Sequence, residues 1–228
     1  MQLPMRTMSS LAKLPILILV TACLHICYKQ PNPPAAKEHQ RAHMEEIGFK
    51  SVIMIHKLQR VLCWILGVLE AATIISNHSV LQGIGTPIVY ITRTNIIGAL
   101  LIMAGTYIRN SSFVALGPVF TFEVNILKGH KLVKHWPYSV IRHPSYTGLV
   151  MTFFGATLWF CTPGSFLHES TGWVWKIVEI LLAFMYFPVC VLIACRIPGE
   201  DGLLRKQFGA EWEDWARKVP YKLIPYIY

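Results

Sequence analysis

The chain has 228 residues, of which 54% are hydrophobic and only 14% charged. Soluble domains carry roughly 25% charged residues, so this composition argues against a water-soluble globule and makes lipid the solvent for much of the surface. The formal net charge of +9 falls mainly in stretches 126–143 and 196–222, between apolar runs. That placement follows the positive-inside bias of membrane proteins, and no zinc-finger, RNA-recognition or basic-region motif supports nucleic-acid binding.

Leu11 to Tyr28 is an apolar run behind Arg6 and Lys13 that fits a signal peptide or a first membrane helix; no convincing small-residue cleavage site closes it, which favours a retained first span. Residues 29–50 form a polar linker whose Pro31, Pro33 and Pro34 exclude a helix at its start, with a short surface helix expected over 37–46. Val52 to Ser76 is the second span, and Gly83, Gly85 and Pro87 mark a turn. Asn95 to Ile108 is the third, ended by Arg109, Asn110 and Ser111. Phe113 to Phe122 is apolar but interrupted by Gly117-Pro118, and reads as a broken or interfacial segment. A polar, basic stretch from Glu123 to Pro144 lacks helical periodicity.

Gly148 to Cys161 and Val174 to Ile197 form a helical hairpin around the turn at Thr162-Pro163-Gly164-Ser165, with Pro188 as a kink point. From Pro198 the apolar residues Leu203, Leu204, Phe208, Trp212 and Trp215 recur at helical spacing. They fit an interfacial helix or a helix packed on its own domain equally well. Pro220 and Pro225 bracket an extended tail. The fold class is therefore all-α: a polytopic membrane helical bundle of about five or six spans. Residues 1–90 carry the N-terminal spans and linker, and 91–228 a second unit with functional segments 123–148 and 196–228. The six cysteines, Cys23, Cys27, Cys63, Cys161, Cys190 and Cys195, lie in or beside apolar runs without CxxC or metal spacing, so they read as small apolar fillers.

The hairpin returns the chain to the side it left, so the polar stretches flanking it are expected to meet on one membrane face. Together they hold Arg142, Arg196, His130, His143, Glu200 and Asp201. Ionisable groups at membrane depth are costly and mark functional sites. An arginine fork fits a carboxylate or phosphate, and a nearby glutamate can hold an amine, a ribose hydroxyl or the arginine. Taken singly, Arg142 and Arg196 also fit lipid-phosphate or positive-inside anchors, His143 a structural hydrogen bond, and Tyr138 and Tyr146 an interface belt.

The run Phe120-Thr121-Phe122, His130-Lys131-Leu132-Val133, Pro137-Tyr138 and Arg142-His143-Pro144-Ser145-Tyr146-Thr147-Gly148 resembles the signature of the isoprenylcysteine carboxyl methyltransferases. Arg196-x-x-x-Glu200-Asp201, Phe208-Gly209-x-Glu211-Trp212 and Val219-Pro220 follow in the same order. The resemblance covers roughly residues 95–228. It implies methyl esterification of the C-terminal prenylcysteine carboxylate of prenylated proteins, with S-adenosyl-L-methionine as donor. It also implies a multi-pass protein of the endoplasmic reticulum membrane with a cofactor pocket at the cytosolic interface. The matching positions assign Glu123, His130, Lys131, Leu132, Val133, Tyr138, His143, Pro144, Ser145, Tyr146 and Glu200 to the cofactor. They assign Arg196 to the substrate carboxylate, and Arg142 to orienting the reacting groups. Asp201 replaces a glutamate of many members, and Trp136 a glycine. Three other readings share part of the pattern: a phospholipid N-methyltransferase, an NADPH-dependent membrane sterol reductase, which would carry asparagine where this chain has Pro144-Ser145, and an inactive membrane scaffold.

Overall fold

The computed structural model describes residues 10–32, 43–78, 87–120 and 131–228. Its helices are α1 (Lys13–Tyr28), α2 (His43–His78), α3 (Arg93–Leu116), α4 (Pro144–Phe160), α5 (Phe166–Glu169), α6 (Trp173–Phe208) and α7 (Ala210–Lys218), with a 3-10 turn at Gly117–Val119. No strand occurs among the described residues. Helices satisfy their backbone polar groups internally, which lipid demands. Ile53–His78 of α2, and the whole of α3 and α6, are long and apolar enough to cross a membrane. Along α6, Ile180, Leu181, Phe184 and Phe187 are exposed, a contiguous apolar face that suits acyl chains rather than water.

Four element boundaries differ from expectation. Helix α2 begins at His43 instead of Val52 and absorbs the end of the linker; positions 37–42 and the turn at Gly83 and Gly85 lie outside the described residues. Helix α3 does not stop at Arg109 but runs to Leu116, where Gly117 at φ +56° ends it. Arg109 can stay inside because it finds acceptors within the bundle. Helix α4 starts four residues early, on Pro144, whose fixed φ suits a first helical position. Helix α6 runs through both Pro188 and Pro198 to Phe208. Each proline forfeits one i→i−4 bond, a loss that neighbouring groups can make good in a membrane helix.

The closest packing joins α3 and α4, antiparallel, through two pairs of glycines in register. A Cβ on Gly105 would meet the Gly148 carbonyl oxygen at 2.5 Å, and one on Gly148 would meet that of Gly105 at 2.5 Å. Gly98 and Gly155 repeat the arrangement two turns away. Without a hydrophobic driving force between helices in lipid, such close backbone approach is a main source of association.

Alternating helix directions gather 28–32, 117–120, 142–147 and 196–208 at one end of the bundle. There Asn32 Nδ2 donates to the carbonyls of Gly117 and Phe120, both at 2.8 Å. At the other end Lys13 Nζ lies 2.6 Å from Glu70 Oε1 and donates to the Gly164 carbonyl at 2.8 Å. Both side chains are fully buried, so α1, α2 and the α4–α5 turn are pinned together.

Gly148→Val is expected to destabilise the fold by about 1–3 kcal/mol through overpacking, read as a lower thermal midpoint in detergent. An unchanged midpoint would contradict the glycine contact.

Candidate active site

His143 is the last residue before α4 and is 6% exposed. Its Nε2 lies 3.1 Å from Asp201 Oδ1, and its Nδ1 lies 3.4 Å from Glu200 Oε2. An imidazole facing carboxylates on both nitrogens is satisfied only as the imidazolium, with two N–H donors. Burial lowers its pKa, but the hydrogen bonds to Asp201 and Glu200 outweigh burial and raise it. The pairing continues outward on both sides. Arg142 Nη1 sits 3.2 Å from Asp201 Oδ2, and Arg196 Nε donates to Glu200 Oε1 at 2.8 Å. The Tyr146 hydroxyl donates to the same Glu200 oxygen. Arg196, Glu200, His143, Asp201 and Arg142 thus form a chain of alternating charge.

The continuation of α6 through Pro198 makes this possible. It puts Arg196 and Glu200 one helical turn apart, with Asp201 beside them. The sequence expectation that the two polar stretches meet is met in the geometry, with the second stretch helical rather than a loop. Arg142, His143, Tyr146, Arg196 and Glu200 come together, whereas Ser145 turns to Arg109. Pro144 is the buried first residue of α4. Glu123 and His130 lie outside the described residues.

Tyr138 belongs to a neighbouring apolar cluster with Trp212, Trp215 and Val219, against which Leu132 and Val133 pack. Trp215 Nε1 donates to the Tyr138 carbonyl at 3.2 Å. The tryptophans of α7 are therefore spent on their own domain, which decides between the two readings of this helix. Burial, then the charge of Glu200, pushes the Tyr138 phenol up, so it stays protonated. The Arg142 guanidinium lies 5.6 Å from the centre of the Trp212 ring, joining cluster and charge chain. Beside the cluster, Lys131, Leu132, Lys134, His135, Phe208 and Glu211 line an open groove of about 760 Å³. Lys134 and Glu211 pair across it at 2.7 Å.

Arg109 was read only as a helix stop, yet it supports the whole site. Its Nε donates to the Cys27 carbonyl at 2.9 Å, and its Nη1 to the Ser145 carbonyl at 3.1 Å and hydroxyl at 2.9 Å. It ties α1 and α3 to the first turn of α4. The available signal was a cation followed by further helix-compatible apolar residues. The sequence places Asp201 in the polar cluster without giving it a role of its own, and its pairing with both Arg142 and His143 depends on the helical run of α6.

The model of the phospholipid methyltransferase family matches residues 94–211. The chain belongs to that family. It is also similar to a probable protein-S-isoprenylcysteine O-methyltransferase of Oryza sativa subsp. indica, 30% identical over 133 residues, covering 58% of this chain and 61% of that protein. Protein-S-isoprenylcysteine O-methyltransferase B of Arabidopsis thaliana is 28% identical over 132 residues, covering 57% and 58%. The Delta(14)-sterol reductase of Saccharomyces cerevisiae is 28% identical over 108 residues, covering 46% of this chain and 21% of that protein. The chain thus spans less than two thirds of the length of these curated relatives. The resemblance drawn from the motifs is matched by the names of the first two, and the stretch 94–211 that the family model matches holds the whole charge chain.

His143 gains its partners on folding and its pKa rises. The stability it contributes is therefore present below an unfolded imidazole value of about 6.5 and is lost as pH rises through the folded value. The difference in thermal midpoint between wild type and His143→Gln is expected to narrow above about pH 6.5. A difference independent of pH would contradict a charged His143.

Proposed function

We propose that this protein transfers a methyl group from S-adenosyl-L-methionine to the carboxylate of a prenylated C-terminal cysteine. The observation that carries this reading is the charge chain, because it commits its one histidine and both its carboxylates to charged partners. A C-terminal carboxyl has a pKa near 3.5 and is already ionised at neutral pH, so carboxyl methylation needs no proton acceptor. An amine acceptor, as in phospholipid N-methylation, must lose a proton. His143 is held as an imidazolium between two carboxylates and is a poor base. The names of the rice and Arabidopsis relatives support the same choice.

The residues at hand suit the donor. The groove at Lys131, Leu132 and Phe208 is of ligand size. Arg142 Nε and Trp212 Nε1 are buried polar atoms without a partner among the described residues, donors suited to a ligand oxygen. Lys131, Leu132, Val133, Tyr138 and Trp212 would form the apolar and polar walls; the family resemblance adds Glu123, His130, His143, Pro144, Ser145, Tyr146 and Glu200 to the cofactor-binding set. When bound, S-adenosylmethionine supplies an electrophilic methyl on a sulfonium. Glu200 would supply negative charge toward that cation, and it fixes Arg196, with Tyr146 and His143 holding the Glu200 carboxylate still. Arg196, whose side chain is 26% exposed, holds the substrate carboxylate through the oxygen that does not react. Arg142 orients this assembly through Asp201. Proximity and orientation of this kind supply up to about 7–11 kcal/mol of a barrier.

The membrane serves the substrate. Each buried CH₂ of a lipid chain contributes about 0.8 kcal/mol, so the prenyl tail enters laterally from the bilayer and the polar donor from the aqueous side. On this reading α1 and α4 complete five crossings with α2, α3 and α6, the site faces the cytosol, and the membrane is that of the endoplasmic reticulum.

In membranes containing the protein, labelled S-adenosylmethionine and N-acetyl-S-farnesylcysteine are expected to yield a base-labile methyl ester. Arg196→Ala is expected to abolish transfer while sparing donor binding, and Glu200→Ala to weaken donor binding. Full activity of Arg196→Ala would overturn its role. Label in phosphatidylethanolamine rather than in the cysteine substrate would replace the carboxylate by a lipid amine.

A further inference from the structure

Residues 220–228 play no part in the chemistry above, yet they hold the site's backbone. The Pro220 carbonyl accepts from Arg142 Nη2 at 3.2 Å, Tyr221 from Arg142 N at 2.9 Å, Lys222 from His143 N at 2.9 Å, and Leu223 from Thr147 Oγ1 at 2.6 Å. Four consecutive carbonyls thus take the donors of the residues that lead into α4. The backbone N–H groups of Arg142 and His143 precede that helix and have no intrahelical acceptor, so this segment is what fixes their direction. Leu223 packs against the main apolar core of the bundle.

Beyond Leu223 the chain closes on itself. Leu223 N and Ile224 N donate to the Tyr228 carbonyl at 2.8 and 2.9 Å, and Ile227 N and Tyr228 N to the Ile224 carbonyl at 3.1 Å. Tyr226 sits at φ +67°, a conformation that non-glycine residues rarely adopt. The turn presents Ile224, Tyr226, Ile227 and Tyr228 outward, at 48%, 87%, 78% and 47% exposure. Lys222 Nζ lies 4.7 Å from the centre of the Tyr228 ring. Strained backbone that displays apolar side chains is expected where function requires it. Isoleucine, tyrosine and a lysine whose ammonium sits over the Tyr228 ring and donates to its hydroxyl at 3.2 Å are the composition of the membrane–water boundary. The segment lies at the bundle end where the apolar helices meet the basic stretches, beside the buried first turn of α4.

We propose that residues 220–228 are a strap seated in the lipid headgroup layer, through which the membrane surface holds Arg142 and His143 in register with α6. Ile224 and Ile227 enter the acyl boundary, Lys222 meets lipid phosphate, and the four carbonyls transmit the position to the charge chain.

Two measurements test it in the full chain, in vesicles of phosphatidylcholine and phosphatidylserine. The first places a nitroxide at position 227 (Ile227→Cys), with the exposed Cys195 removed by Cys195→Ser and the single Cys195→Ser protein as background. Relaxation by oxygen is expected to exceed relaxation by a water-soluble nickel chelate. Dominant nickel relaxation overturns the proposal, as does shielding from both reagents, which would mean a protein partner covers the patch. The second compares rates. A stop after Val219 is expected to lower kcat about a hundredfold, the scale of a 1 Å misplacement, with little change in KM for the methyl donor. Ile224→Asn with Ile227→Asn keeps the carbonyls and is expected to lower kcat in vesicles but not in detergent. Equal loss in both media, or no loss, overturns the positioning role, and this pair serves if the shortened chain does not fold. The kinetic arm rests on the methyl-transfer reading, whereas the nitroxide arm uses no substrate, so failure of the two is told apart.

Discussion

A buried imidazolium between two carboxylates, each carrying an arginine on its far side, is the interaction on which the candidate site depends. Arg142, Asp201, His143, Glu200 and Arg196 alternate in sign along contacts between 2.8 and 3.4 Å. In a low-dielectric setting no single member can be removed cheaply, because its neighbour becomes an uncompensated buried charge, at a cost of about 3–5 kcal/mol. The chain therefore fixes the approach to α4 against the last third of α6. It also sets the chemistry: the histidine spends both nitrogens on carboxylates, and the arginines stand at the open ends.

The rest of the bundle delivers these two segments to each other. Glycine contacts let α3 and α4 approach closely enough for Arg109 to reach the carbonyl and hydroxyl of Ser145. That same arginine takes the Cys27 carbonyl at the end of α1. Lys13 and Glu70 close the opposite end of the bundle over the α4–α5 turn. Helices α1 and α2 lie outside the stretch 94–211 that the family model matches, but each supplies a residue that braces the matched part. They are part of the site's support.

Much of this was legible in residue order. Low charge, long apolar runs and basic interruptions point to an all-helical membrane chain, and the tandem of Arg142-His143-Pro144-Ser145-Tyr146 with Arg196-x-x-x-Glu200-Asp201 names residues that the fold brings into one charged cluster. Boundaries were less legible wherever a residue's usual preference yields to tertiary context. Arg109 looks like a helix end until it is seen that buried carbonyls receive it. Pro198 looks like a stop, yet α6 continues, and only that continuation turns Asp201 toward His143. The tryptophans of α7 have the spacing of an interfacial helix, and periodicity alone cannot distinguish lipid from Tyr138 as the surface that covers them. Backbone acceptors such as the carbonyls of residues 220–223 carry no side-chain signature at all.

A double-mutant cycle between His143→Gln and Asp201→Asn, read as unfolding free energy of the detergent-solubilised protein near neutral pH, tests the charge chain most directly. If the imidazolium and carboxylate act as one unit, the double variant loses less than the sum of the single variants, with a coupling of about 1–3 kcal/mol. Additive losses would mean that the two side chains do not sense each other, and the charge chain would not be the organising interaction of the site.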